Sequence, residues 1–212
     1  MAEDSKPDRG RGSAARRGRP PGDHAERRAE LLRAATSIIA ADGYGACSLR
    51  KVADAAGCTT GAVTYYFTNK SELIAALAEQ RFDTYESLVH PDEERAGVRS
   101  MLERWLAMTV GDREQWPVMS QLVSSARQEP ALAHIFQRRY ARFRAKLADT
   151  ISEGQRRGTI RTDIRADILA ENITGMGDGW AMLAPVEPDR FTPARVDELL
   201  DAVETLLRPA AG

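Results

Sequence analysis

Apolar residues in this chain return every three or four positions, and almost nowhere do they alternate singly with polar ones. Leu31, Ala35, Ile38 and Ile39 form one stripe, and Leu49, Val52, Ala53 and Ala56 form a second at i, i+3, i+4 and i+7. Val63 and Phe67 continue the pattern, followed by Ile74, Leu77, Phe82, Tyr85 and Leu88. This is the period of amphipathic helices with one buried face. Further helices are expected at about residues 93–111, 113–128, 131–157, 166–184 and 193–208, where helix-stop signals punctuate the chain. Those signals are Gly111-Asp112, Glu129-Pro130, Gly158 and the segment from Pro185 to Pro193. Only Gly158-Thr159-Ile160 leans towards β structure, and it falls in a connector. No repeat of solenoid length is visible. The pattern predicts an all-α protein in which a small N-terminal three-helix unit carries a larger helical body.

The turn chemistry divides the chain more finely. Pro20, Pro21 and Gly22 close an N-terminal arm, Asp23 is placed to cap the first helix, and Asp42-Gly43 ends it. Ser48 is expected to cap the second helix and Thr59 the third. Gly57 stands between them, where the chain needs a residue able to take positive φ. Asn69 with Glu72 three residues later reads as a capping box for a long fourth helix, which His90-Pro91-Asp92 then breaks. Two short helices joined by a glycine-containing turn are the sequence form of a helix-turn-helix, which presents its second helix to the major groove of DNA. With Val63 and Phe67 turned inward, Thr60, Thr64 and Tyr65 are left on the outer side, with Tyr66 beside them. The expected division is residues 1–22 as an arginine-rich arm, 23–70 as the DNA-binding unit and 71–212 as the body.

Composition changes this picture little. A chain of 212 residues with 42% hydrophobic content can bury a sizeable core, and its net charge of −1 does not advertise nucleic acid. The local distribution does so better. Arg9, Arg11, Arg16, Arg17 and Arg19 occur in a stretch without an acid, the composition of a mobile cationic arm or of a solvated tail. The only cysteines are Cys47 and Cys58, and with His24, His90 and His134 they make no zinc spacing and indicate no disulfide, so no metal and no cofactor are expected. No apolar run is long enough to span a membrane and no signal-peptide pattern precedes the helices, so a cytoplasmic protein is expected.

The run from Arg27 to Phe82 resembles the TetR (tetracycline-repressor) family of bacterial transcription regulators. The resemblance rests on order and spacing. Asp42-Gly43-Tyr44 is followed by Ser48-Leu49-Arg50-Lys51-Val52-Ala53, Ala56-Gly57-Cys58-Thr59, Gly61-Ala62-Val63, Tyr65-Tyr66-Phe67 and Asn69-Lys70-Ser71-Glu72-Leu73. It departs at Thr64, where the family usually has an aromatic. The resemblance implies that Ser48 and Arg50 hold the phosphate backbone and that Thr59, Thr60, Gly61 and Thr64 approach base edges. It also implies that Tyr65, Tyr66 and Lys70 form a phosphate clamp at the far end of the recognition helix, although Tyr65 has packing against the first helix as an alternative. Without a long Arg, Gln or Asn on that helix, base readout should be modest.

The body lacks a catalytic constellation. Asp163, Asp167 and Asp178 read as caps and surface charge, and His134 as a solvated helix residue. Gly175-Met176-Gly177-Asp178-Gly179 has neither dinucleotide-loop spacing nor a preceding strand. Three glycines in a helix cost about 1 kcal/mol each relative to alanine, so a close helix approach or space beside a ligand is expected there. Trp105, Met108, Trp116, Met119, Leu122, Phe136, Tyr140 and Met176 are soft, large side chains that suit either ordinary core or the walls of a pocket for an apolar or aromatic effector. In the TetR family the last two long helices pair with a second copy, which points to Ile173, Trp180, Val196, Leu199, Leu200 and Val203 as homodimer contacts, with monomer core as the alternative. The resulting expectation is a ligand-responsive repressor binding a palindromic double-stranded operator as a homodimer. A constitutive DNA-binding regulator and an enzyme on a helical fold are the rivals.

Overall fold

The computed structural model describes residues 21–87, 97–111 and 115–209. The arginine arm, Leu88 and the break expected at residues 90–92 lie outside them. Among the described residues there are helices and no strands: α1 (Pro21–Asp42), α2 (Leu49–Ala55), α3 (Thr60–Tyr66), α4 (Lys70–Ser87), α5 (Val98–Gly111), α6 (Gln115–Ala126), α7 (Pro130–Arg156), α8 (Ala166–Leu183) and α9 (Pro193–Leu207). Short 3-10 turns occupy Tyr44–Ala46 and Pro188–Phe191. The expected Asp23 start is corrected. The helix is already running at Pro21, whose missing N–H and fixed φ suit a first helical position.

Local chemistry sets the first turns. Gly43 has φ +89° and Gly57 φ +62°, conformations that L side chains rarely adopt. The Ser48 hydroxyl accepts from the Lys51 N–H at 3.2 Å, and the Thr59 hydroxyl accepts from Ala62 N–H at 3.2 Å. At the start of α4, Asn69 Oδ1 accepts from Glu72 N–H at 2.9 Å. The Glu72 carboxylate accepts from the N–H of Thr68, one residue before the cap, and this bond holds its carboxyl below the usual range. Val52, Ala53, Val63 and Phe67 are buried in one cluster with Leu31, Ala35 and Ile39, with α2 packed on α1 and α3 on α2.

The buried side chains form one cluster from Leu31 to Leu207. Within it α7 packs along both α4 and α8, α5 lies against α8 and α9, and α6 touches α1, α4 and α7. An ion-pair ladder fastens α4 to α7. Glu79, Asp83 and Glu86 stand at i, i+4 and i+7 on α4, facing Arg138, Arg139 and Arg142. Arg139 is at the centre, its side chain 11% exposed, and its guanidinium reaches Glu79 at 2.6 Å, Asp83 at 2.5 Å and Glu86 at 2.8 Å. Burial opposes its charge, but the hydrogen bonds it donates to these three carboxylates outweigh burial and keep it firmly protonated.

Two contacts tie the reading unit to the body through one side chain. The amide of Gln121 on α6 accepts from Tyr44 N–H at 2.6 Å and donates to the Ile39 carbonyl at 3.0 Å. It thereby satisfies the Tyr44 N–H just past the end of α1 and adds a second donor to the Ile39 carbonyl, which also accepts from the Gly43 N–H at 3.0 Å. The Tyr44 hydroxyl meets Glu129, the residue before α7.

Candidate functional site

The outer face of α3 is built from its cap onward. With Val63 and Phe67 fixing the inner side, Thr59, Thr60, Gly61, Thr64 and Tyr65 are exposed together. Thr64 donates its hydroxyl to the Gly61 carbonyl at 3.0 Å, so its methyl and oxygen lone pairs remain for a partner. Tyr65 is 74% exposed, and its ring meets His24 of α1 and Tyr66 edge-on at 5.8 and 5.1 Å. Tyr66 is partly buried beside His24, with ring centroids 4.6 Å apart. Arg50 is exposed on α2, and no hydrogen bond or ion pair engages its guanidinium among the described residues. Lys70 differs from the expected clamp in its surroundings. Its ammonium donates to the Tyr44 carbonyl at 2.9 Å and lies 4.3 Å from the centre of the Tyr44 ring.

In the body, a cleft opens among α4, α5, α6, α7 and α8. Phe82, Glu86, Trp105, Trp116, Arg139, Tyr140, Phe143 and Asp178 line it, and about 30 Å³ is open to a water-sized group. A second cavity of about 20 Å³ adjoins it and shares Trp105, Phe143 and Asp178. Trp105 and Trp116 meet edge-to-face at 6.5 Å, and Phe82 packs edge-on against Phe136 and Tyr140. Trp105, Trp116 and Tyr140 thus stand where a pocket was expected. Met108, Met119, Leu122, Phe136 and Met176 do not line it. Met119 and Leu122 are fully buried core, Phe136 backs the wall made by Phe82 and Tyr140, and Met108 and Met176 pack on the core elsewhere.

The cleft is also more polar than its apolar sequence suggested. Glu86 belongs to the ion-pair ladder; burial raises its carboxyl, but Arg139 and Arg142 outweigh that and hold it low. Asp178 is no surface charge. It is partly buried in the aromatic walls, which pushes its carboxyl up to about 6 against an ordinary 3.8, despite the Tyr140 hydroxyl at 3.4 Å and the more distant Arg144. Arg144 itself pairs with Glu171 at 3.1 Å. The Trp116 indole N–H is buried without a hydrogen-bond partner among the described residues. Asp178 left one signal in the sequence, as the only charged residue between Ile173 and Leu183.

The apolar faces of α8 and α9 need a further correction. Ile173, Leu200 and Val203 are buried in the protomer and cannot meet a second copy. Trp180, Val196 and Leu199 are partly exposed. The outward stripe of α8 runs instead through Ile168, Gly175, Gly179 and Met182, with Val186 just beyond the helix. A β-carbon at Gly175 or Gly179 would meet nothing within 4 Å, whereas one at Gly177 would touch the Trp105 ring at 3.5 Å. Leu206 of α9 is exposed as well.

Residues 31–77 match the model of bacterial regulatory proteins of the tetR family, and residues 94–208, more than half of the chain, match that of the BetI-type transcriptional repressor C-terminal domain. The chain belongs to the TetR family. It is 26% identical to the transcriptional repressor Rv1474c of Mycobacterium tuberculosis, over 88% of this chain and 96% of that protein. It is 25% identical to the repressor AcnR of Corynebacterium diphtheriae, over 86% and 92%. The fold is shared with Salmonella enterica GusR at a TM-score of 0.74 and 21% identity, covering 86% of this chain and 95% of that one. As a TetR-family member the protein is a transcriptional repressor and not an enzyme. Among the described residues, no helix is long and apolar enough to cross a membrane and no cluster of side chains is fit to hold a metal.

Proposed function

We propose that two copies of this TetR-family repressor grip a pseudo-palindromic operator and that a small molecule entering the α4–α8 cleft releases it. The observation that carries this reading is the position of α4. It begins at Lys70, one contact from the reading unit through Tyr44, and it lines the cleft with Phe82 and Glu86. A ligand that parts Glu86 from Arg139 loosens the ladder holding α4, and α4 carries that change to α3. A second link runs along α6, which lines the cleft with Trp116 and holds the end of α1 with Gln121.

At the DNA, Arg50 and the Ser48 hydroxyl hold phosphates, while Thr59, Thr60, Gly61 and Thr64 meet base edges and Tyr65 and Tyr66 flank the backbone. Lys70 acts chiefly by placing Tyr44, with its clamp role secondary. The second copy seats on the Ile168–Gly175–Gly179–Met182 stripe, with Leu199 and Leu206 of α9 beside it. The two glycines leave a shallow saddle for the partner's side chains, and one isologous face suffices for a two-fold dimer. Operator half-sites are then set about 34–36 Å apart or at a multiple of that spacing. DNA cannot follow a change in the separation of two α3 helices cheaply, so displacement of α4 weakens binding.

Genome-wide footprinting with the full chain, followed by sedimentation of the protein with the recovered site, tests this. Two protomers on two symmetric half-sites are expected. A monomer that binds a single half-site tightly would overturn the dimeric reading. An operator affinity that no cell extract or metabolite pool alters would favour a constitutive regulator.

A further inference from the structure

We infer that the cleft takes an amphipathic amine, a protonated nitrogen carried on an apolar or aromatic body, with Asp178 as its counter-ion. This rests on the reading of the cleft as the effector site and specifies what that site recognises.

Three observations select a cation over an anion or a neutral molecule. First, Asp178 is a carboxylate set among Trp105, Trp116, Tyr140 and Phe143 that accepts from the Tyr140 hydroxyl at 3.4 Å and has no ion pair among the described residues, since Arg144 pairs with Glu171. A charge in such walls is poorly solvated, and a cation arriving beside it restores what burial removed. Second, Arg139, the one cation lining the cleft among the described residues, is already spent. Arg139 bonds Glu79, Asp83 and Glu86, so an anionic ligand would have to displace carboxylates that are already fixed in place. Glu86, for its part, is neutralised by Arg139 and Arg142, which leaves Asp178 as the lining carboxylate without a direct ion pair among the described residues. Third, five of the eight lining side chains, Phe82, Trp105, Trp116, Tyr140 and Phe143, are aromatic, and the negative quadrupole of aromatic faces attracts cations and repels anions.

The remaining features describe the body of the ligand. Phe82 and Phe143 give it an apolar seat. The unpartnered Trp116 N–H offers a hydrogen bond to an acceptor on it. About 30 Å³ is too little for a ring, so Trp105 or Phe143 must turn aside and join the cleft to the adjoining cavity, which shares both. Gly177 leaves Trp105 ordinary contact distance on the α8 side.

Benzylamine, benzyl alcohol and benzoate share one ring and differ in charge, so they separate the alternatives. Titrated into the full-length protein at pH 8 and fixed ionic strength, with tryptophan fluorescence and calorimetry as readouts, benzylamine should bind at least tenfold more tightly than benzyl alcohol and benzoate most weakly. Asp178→Asn should abolish the advantage of benzylamine while leaving benzyl alcohol within about twofold, and its melting curve confirms that it folds. Phe143→Ala removes a wall without touching charge and should weaken all three. Benzyl alcohol binding as well as benzylamine, benzoate binding best, or an amine preference that survives Asp178→Asn would overturn the amine assignment. If Phe143→Ala still shifts affinity in those cases, the cleft stands as the effector site. Binding by none of the three, or affinities untouched by Phe143→Ala, would overturn both.

Discussion

Replacing Asp178 by asparagine should make the ligand-free protein more stable at neutral pH. The carboxyl titrates at about 6 in the fold and at 3.8 when solvated, because burial among aromatic rings disfavours its charged form. Each pKa unit corresponds to about 1.36 kcal/mol, so the folded state bears up to about 3 kcal/mol of penalty once the group is ionised. Asp178 is only partly buried, and water reaching it reduces the expected gain to about 1–2 kcal/mol. The sign follows from proton uptake. Below pH 3.8 both states are protonated and the two proteins should be equally stable. As pH rises towards 6 the unfolded chain ionises first, so the wild type falls behind; above about 6 the gap stays constant. For a chain of this length, 1 kcal/mol moves Tm by about 2–4 °C. Thermal unfolding at one protein concentration, from pH 4.5 to 8, measures the gap, with concentration fixed because dimerisation also shifts Tm. A variant that is no more stable than wild type at pH 8, or a gap that does not narrow at low pH, would refute the account of a destabilised carboxylate. Stability gained where ligand affinity is lost is the pattern of a binding site held at some expense to the fold.

Three other outcomes are expected. Arg50→Ala should weaken binding to every DNA sequence and flatten the log-affinity salt slope by about one unit, whereas Thr60→Ala should relax preference at particular base pairs by about 1 kcal/mol; uniform losses in both variants, measured by competition binding, would contradict the assignment of roles. Gln121→Ala leaves the part-buried Tyr44 N–H without its partner and takes one of two donors from the Ile39 carbonyl, so denaturant unfolding should show a loss of about 1–3 kcal/mol, and effector should release operator less completely than from wild type; full release would exclude α6 as a link. Met182, 63% exposed on the outer stripe of α8, should convert the protein to a folded monomer when changed to aspartate, as read by sedimentation and circular dichroism; an intact dimer would place the interface elsewhere.

The reading unit was legible because its determinants are local. Caps at Ser48, Thr59 and Asn69, the positive-φ Gly57 and stripes at i, i+3 and i+4 all act within a turn or two, and each appears in the structure as the sequence implied. The cleft was half legible. Periodicity marks Trp105, Trp116 and Tyr140 as inward, but which inward residues face a void depends on how five helices cross, and Met119 and Leu122 differ from Trp116 only in that respect. Asp178 and Arg139 were missed for a related reason. A charge reads as solvated until the helix carrying it is seen to turn it inside. On α8 the apolar residues cover two faces, so the pattern could not say that Ile173 faces the protomer core while Ile168 and Met182 face out. The surroundings of Lys70 were not legible, because nothing local reveals that the carbonyl and ring of Tyr44 lie within its reach.

The Gln121 amide has a consequence for how such repressors are recombined. It recognises backbone groups of the head, not side chains, so its demand is geometric: one N–H and one carbonyl at the end of α1, presented at the right height against α6. On the proposed switch, a chimera that grafts another reading head onto this body responds to ligand only if the graft offers those two groups in register, whatever its own operator. Shortening the Gly43 turn by a residue, or a body with a side chain other than glutamine or asparagine at position 121, would give hybrids that bind DNA and bind ligand yet do not connect the two. Interchangeability of parts in this protein is therefore limited at the joint, by a fit of backbone to amide that neither the DNA sequence nor the ligand chemistry reports.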